Sequence, residues 1–411
     1  MCKLCLILIK NGSITQEDFK KIAKTNKYME ICNNAQVPES LPIYAKYVKL
    51  NNRTEIPIKA LAHVKRLTLN YSNIDLSNVV LDALDILTVT FAKKFRLPNR
   101  ARRLQHLILN NIDDFYGFYT EFSNLETMEL KSVYKLSNNN NNGETTDLES
   151  VIPINIDNIH VKTVTIENCI IGAIHHCEGI QRIRIKQNVQ CAHIYDLPIH
   201  TLVVEDANIK LGDLPNLESL RIKNSTYALH GQYNKLHYLS LRGTLEQSLP
   251  VYENLRILDI TQSQIKEVPY MPNIYKLYCS NSCVEKLPDN LDKIIFIDVS
   301  NTHITHIPYY ETLVSLECSN TNVSEIPPLE NLKYLHCSNT NICELPYVFT
   351  KIIILDINNT NLPYNTILSY KLRLTKHLTK KCIEDDILSC TTTPELYDNN
   401  ITQIIHEYLV R

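Results

Sequence analysis

The sequence predicts an elongated solenoid of stacked parallel strands, on three observations. A phrase of the form LxxLxL returns at a near-constant step through the second half of the chain. A proline returns at the same step, fourteen residues after five of the six clearest phrases begin. The chain is 44% apolar over 411 residues, enough for a large core, yet holds only 8 glycines, few for a dinucleotide or phosphate cradle. A chain this long could equally make two or three ordinary domains, so the repeat decides.

The clearest phrases are LRILDITQSQIKEVP from Leu255, IYKLYCSNSCVEKLP from Ile274, IIFIDVSNTHITHIP from Ile294, LVSLECSNTNVSEIP from Leu313, LKYLHCSNTNICELP from Leu332 and IIILDINNTNLP from Ile352. The offsets are 19, 20, 19, 19 and 20 residues. Pro250, Pro269, Pro288, Pro308, Pro327 and Pro346 keep the step. The phase runs backwards through Leu236, Leu217, Ile199, Ile180, Val161, Leu125, Leu104, Leu84 and Val64 to AKYVKLNN at Ala45, about sixteen units in all. LxxLxL sends three aliphatic groups inward, the last two separated by one outward residue, as a strand requires. The proline fixes φ and lacks an N–H, so extended or polyproline-like backbone is predicted on the opposite side. One unit buries too little to offset the entropy of ordering it, so stability must come from stacking.

These phrases resemble the leucine-rich repeat family, whose unit reads LxxLxLxx(N/C/T)xL. The resemblance covers residues 45–363 and implies a leucine-rich-repeat solenoid, or horseshoe. It implies a parallel β-sheet on the concave face and a mostly non-helical extended or 3-10 convex side. The short unit ending in Leu-Pro or Ile-Pro is similar to the class found in secreted bacterial effectors and large DNA viruses. The family's usual post-strand Asn is here Ser263, Ser282, Thr302, Thr321, Thr340 or Thr360. Their hydroxyls are expected to bond the neighbouring turn's backbone.

A solenoid exposes its core at both ends unless capped. Residues 1–44 are read as an N-terminal helical cap, with one helix over 13–33. Thr15 and Asp18 form its capping box, and Phe19, Ile22, Ala23 and Met29 its apolar face. Residues 364–411 are read as a C-terminal helical cap with two amphipathic patterns, one through Ile367, Leu368, Leu372 and Leu378, the other through Ile401, Ile404, Ile405 and Leu409. The phase breaks between Lys131 and Ile159. The Asn-rich insertion at 137–147, Asn138 to Asn142 and then Gly143 to Thr146, is read as a disordered surface loop.

Thirteen cysteines is an odd number, and most sit among apolar neighbours at strand positions, which points to a reducing compartment. The apolar run Leu4–Ile9 is short for a secretory signal, and no run approaches a membrane span. The formal net charge of −2 lacks the basic excess of a nucleic-acid or membrane-surface binder. Cys2 and Cys5 form a CxxC without a second pair. His175, His176 and Cys177 look metal-like, but neighbours on a strand face opposite ways. Cys279, Cys318 and Cys337 share one slot and should stack inward. Cys382-Ile-Glu-Asp resembles the cysteine–aspartate motif of bacterial effector ubiquitin ligases, but too few residues follow for their catalytic domain. No catalytic signature is present. The reading is therefore not an enzyme, with no cofactor and no metal.

The expected function lies on the concave face. The register places Arg182, Arg184, Lys186, Arg221, Lys223 and Arg242 outward in one stretch. It places Asp259, Asp298, Glu317 and Asp356 outward in another, interleaved with Tyr275, Tyr278, Phe296, Tyr334 and His336. Like charges at the strand spacing of about 4.8 Å repel, so the stacked acids should weaken the solenoid unless they serve a partner. Exposed aromatics beside them suit a protein-binding hot spot. The expectation is a monomeric, non-enzymatic scaffold that binds a protein partner, with no membrane, nucleic acid or small-molecule substrate. Richness in Asn, Ile, Lys and Tyr suits an AT-rich genome. With the short repeat class it suggests a viral protein in the cytoplasm of a host cell. The alternative is a ubiquitin-ligase substrate adaptor. Leu396 to Leu409 resembles the first helix of an F-box, which poxvirus host-range proteins carry at the C-terminus, but Tyr397 replaces the usual Pro and one residue is inserted before Tyr408.

Overall fold

A computed structural model describes residues 8–9, 28–32, 45–51, 61, 63–72, 75–116, 118, 122–135, 152–157, 159–229 and 232–370. The chain forms two compact units, residues 1–283 and 284–411. The described residues of each form a parallel β-solenoid.

In the first unit the main sheet grows in chain order, each strand pairing in parallel with the next. Tyr47–Asn51 pairs with Arg66–Asn70, that with Ile86–Phe95, and that with His106–Phe115. The series continues to Lys276–Tyr278. The register is one residue to one residue, so inward side chains stack on inward ones: Leu220, Leu239, Leu258 and Leu277 are each 0% exposed. In the second unit Phe296–Asp298, Ser315–Glu317, Tyr334–His336 and Ile354–Asp356 repeat the arrangement. A tight turn feeds many of the strands, as where the Leu313 N–H donates to the Tyr310 carbonyl at 3.2 Å.

In the second unit the turn that follows each strand has one residue in left-handed backbone. These are Asn301, Asn320, Asn339 and Asn359, with φ of 58, 57, 55 and 55°. Asn tolerates this region better than most residues. The turned N–H reaches the adjacent repeat: Asn301 to the Ser319 carbonyl and Asn320 to that of Ser338, both at 2.9 Å. The hydroxyls behave otherwise than expected. Thr302, Thr321, Thr340 and Thr360 donate to the carbonyl three residues earlier in their own turn, at 2.6, 2.7, 2.7 and 2.9 Å. The side chain points inward at that slot, where its own turn's carbonyl is the acceptor in reach. Asn closes the gap between turns, and Ser or Thr ties the turn to itself.

One further expectation is corrected. Tyr28–Cys32 is a strand, paired with Tyr47–Asn51 from Tyr28↔Tyr47 to Cys32↔Asn51, and Leu8–Ile9 pairs with it in turn. The helix over 13–33 therefore does not run through Tyr28–Cys32, and Met29 is buried as a strand residue. Residues 13–27 lie outside the described ones. The other side of the solenoid is non-helical as expected, and between Ile154 and Leu229 its extended segments pair. Ile154–Asp157, Ile170–His175, Gln190–Ile194, Asn208–Leu211 and Thr226–Leu229 form a second parallel sheet of five strands. Of the C-terminal cap, 364–370 is helical, with the Ile367 N–H donating to the Pro363 carbonyl at 3.1 Å. The rest of that cap, the F-box-like segment, Cys382 and the Asn-rich insertion lie outside the described residues. Among the described residues no helix is long and apolar enough to cross a membrane.

Candidate functional site

On the outward face of the second unit, three-residue strands put two columns of side chains side by side. Pairing through the buried middle residue fixes both. One column is Phe296, Ser315, Tyr334 and Ile354. The other is Asp298, Glu317, His336 and Asp356. The sequence-read residues Phe296, Asp298, Glu317, Tyr334, His336 and Asp356 thus lie on one face, each partly exposed. Ile354 completes the apolar column. Its place follows from the same register and was not singled out.

The acids are not a bare stack of like charges. Asp298 Oδ1 accepts the Ser300 N–H at 3.0 Å, and Asp356 Oδ1 accepts both the N–H and the side-chain amide of Asn358, at 3.3 and 2.8 Å. Each aspartate thereby caps its own turn, a contribution to the fold that stands beside the like-charge repulsion expected of the stack. Glu317 differs. Burial and the adjacent Asp298 carboxylate raise its pKa above the ordinary range, while His336 opposes them. Beneath it the Cys318 thiol is 0% exposed and pushed well above its usual pKa, and that of Cys337 is pushed up to about 12, burial being the main cause in both. These thiols act as packing groups.

In the first unit the outward face carries Arg184, Val203, Arg221, Ser240, Asp259 and Tyr278 on successive strands. Arg221 lies over the Tyr238 ring, 4.8 Å from its centroid. Asp259 accepts the Thr261 N–H at 3.1 Å and the Ser240 hydroxyl at 3.2 Å, and its Oδ2 lies 3.8 Å from Arg242 Nε. Arg184 is exposed and forms no ion pair among the described residues. Tyr275 departs from the reading. Ile257 pairs with Lys276, so Lys276 takes that outward rung and Tyr275 sits one residue ahead, in the turn entering the strand. Ile274 is 1% exposed, and the chain cannot alternate between it and Leu277 with two residues between them.

The histidines also differ from expectation. The His175 and His176 rings converge, with Nδ1 atoms 2.6 Å apart, because His176 takes left-handed backbone at φ 49° and its side chain swings back. Cys177 points away into the core, 1% exposed. Among the described residues no group of three or more His, Cys, Asp or Glu is placed to hold a metal ion.

No family model and no curated protein matches the chain. Solved structures similar to it include the leucine-rich-repeat protein LIC12759 of Leptospira interrogans, at 14% identity over 89% of this chain and 99% of that one, TM-score 0.43. The leucine-rich effector YopM of Yersinia pestis is similar at 18% identity over 76% of this chain and 84% of that one, TM-score 0.41. A Drosophila Toll–Spatzle complex is similar at 15% identity over 77% of this chain and 51% of the matched chain, TM-score 0.40.

Proposed function

We propose that the chain is a non-enzymatic scaffold that binds a protein partner on the outward face of its sheet. The paired columns of the second unit carry this reading: Phe296, Tyr334 and Ile354 beside Asp298, Glu317, His336 and Asp356. Flat aromatic and aliphatic groups supply desolvated contact area, and the carboxylates select a basic surface and steer its approach. Glu317 supports the reading because its ionised form is disfavoured where it stands, and a partner cation would relieve that. Asp259, Tyr278, Arg184 and Arg221 are proposed as a separate contact patch of the first unit, with Tyr275 at its margin. The scaffold is proposed to be a monomer with cap elements outside 45–363, working in the cytoplasm of a host cell for a large DNA virus. That setting rests on composition and repeat class. The adaptor alternative rests on the sequence of Leu396 to Leu409 alone and is tested by deleting 394–411 and following co-purification of ligase adaptors.

Asp298→Asn, Glu317→Gln and Asp356→Asn combined remove three charges and keep the oxygens that cap the turns. Affinity capture from cells should lose its partner with this variant while the melting temperature does not fall. Capture of the same proteins in undiminished yield would overturn the reading.

A further inference from the structure

In the first unit a cavity of 470 Å³ opens between two rows of polar side chains. One wall is the left-handed turn residues Asn188, Asp206 and Asn224, with φ of 50, 53 and 47°. The other is Gln190, Asn208 and Thr226, at the starts of three strands of the second sheet. The floor is recessed because Ala207 and Ser225 are small and buried. One end stays open at Gly243, where a Cβ would come within 2.3 Å of Asn224 Oδ1. Its φ of 64° suits glycine as well.

The lining is chemically selective. It has no Lys, Arg or His to neutralise a phosphate, and one carboxylate, Asp206. It has no aromatic ring and one exposed aliphatic group, Leu245 at the lip, so it offers none of the apolar pockets by which peptides are gripped. What it offers is carboxamides, each a donor and an acceptor in one plane. Within that second wall Thr226 Oγ1 donates to Asn208 Oδ1 at 2.5 Å. The side chains of Asn188, Gln190, Asp206 and Asn224 make no hydrogen bond among the described residues. The corresponding asparagines of the second unit close on one another instead: Asn339 donates to Asn320 and Asn359 to Asn339, both at 2.8 Å. Here the row faces open space at a spacing of about 4.8 Å per turn. The volume lies within the small-molecule range of about 300–1,000 Å³.

We infer that this groove binds a short, neutral, linear oligosaccharide. Carboxamides and the Asp206 carboxylate bond successive hydroxyl pairs, and Leu245 packs on the C–H face of a sugar ring. This adds a small-molecule ligand where the sequence reading expected none, held by residues other than those of the proposed protein-binding columns. The test is calorimetric titration of the full chain with maltotriose, cellotriose, mannotriose and triacetylchitotriose. At least one should bind with a Kd of about 1 mM or tighter. Asn188→Gly with Asn224→Gly removes two carboxamides and keeps the left-handed turns, and should weaken that binding by about tenfold or more. Leu245→Arg, at an exposed position, should block the groove without touching the turns, and melting curves report the fold of each variant. Failure of all four sugars to bind would overturn the inference, as would binding that Leu245→Arg leaves unchanged.

Discussion

Glu317 shows how one residue carries both fold and function. Its carboxyl is raised by burial first and by Asp298 second. A raised carboxyl binds more protons folded than unfolded, so stability is greatest below the ordinary glutamate range and falls as pH rises through the raised value. Glu317→Gln should therefore raise the melting temperature at neutral pH, by the equivalent of about 0.2–1 kcal/mol for a like-charge pair, and leave it unchanged in acid. The buried Thr321 hydroxyl donates to the Cys318 carbonyl at 2.7 Å. Thr321→Val leaves that carbonyl unpaired and should cost about 1–3 kcal/mol by denaturant titration. Native-state alkylation read by mass spectrometry should label the exposed Cys343 well before the buried, high-pKa Cys318.

At the scale of the element, the turn after each strand of the second unit depends on its asparagine. Asn320→Ala should cost about 1–2 kcal/mol for the left-handed backbone, and Asn320→Gly much less; unfolding titrations of the pair separate φ from side-chain effects. The asparagine stands in plain view in every SNT phrase, yet the sequence reading gave the turn to the hydroxyl, because φ is not written in a residue pattern. The strand core was legible because Leu316 and Leu335 repeat at a fixed step and face one way. Tyr28–Cys32 was not. Phe19, Ile22, Ala23 and Met29 fall at helical spacing, and only pairing with a strand nineteen residues later makes Met29 a sheet residue. The second sheet stayed hidden for a similar reason. Ile170, Ile171 and Ile174 look like ordinary convex packing until Gln190–Ile194 lies alongside. The outward columns were legible from alternation, except where two residues separate buried positions, as at Tyr275 and Lys276.

Across the molecule, each repeat rests on its neighbours. Leu316→Ala should destabilise the second unit by about 2–5 kcal/mol, and amide exchange should rise most in the flanking strands Phe296–Asp298 and Tyr334–His336. That stacking makes the outward face a rigid platform, and the central claim is that a protein sits on it. The direct measurement is site-specific photo-crosslinking in cells, with a photoreactive residue at Ser315, between Phe296 and Tyr334, or at exposed Glu325, outside the strands. A crosslinked protein at position 315 that is absent at 325, and lost when Asp298, Glu317 and Asp356 are neutralised, is the predicted result. Crosslinks at 325 with none at 315 would place the partner elsewhere and contradict the account.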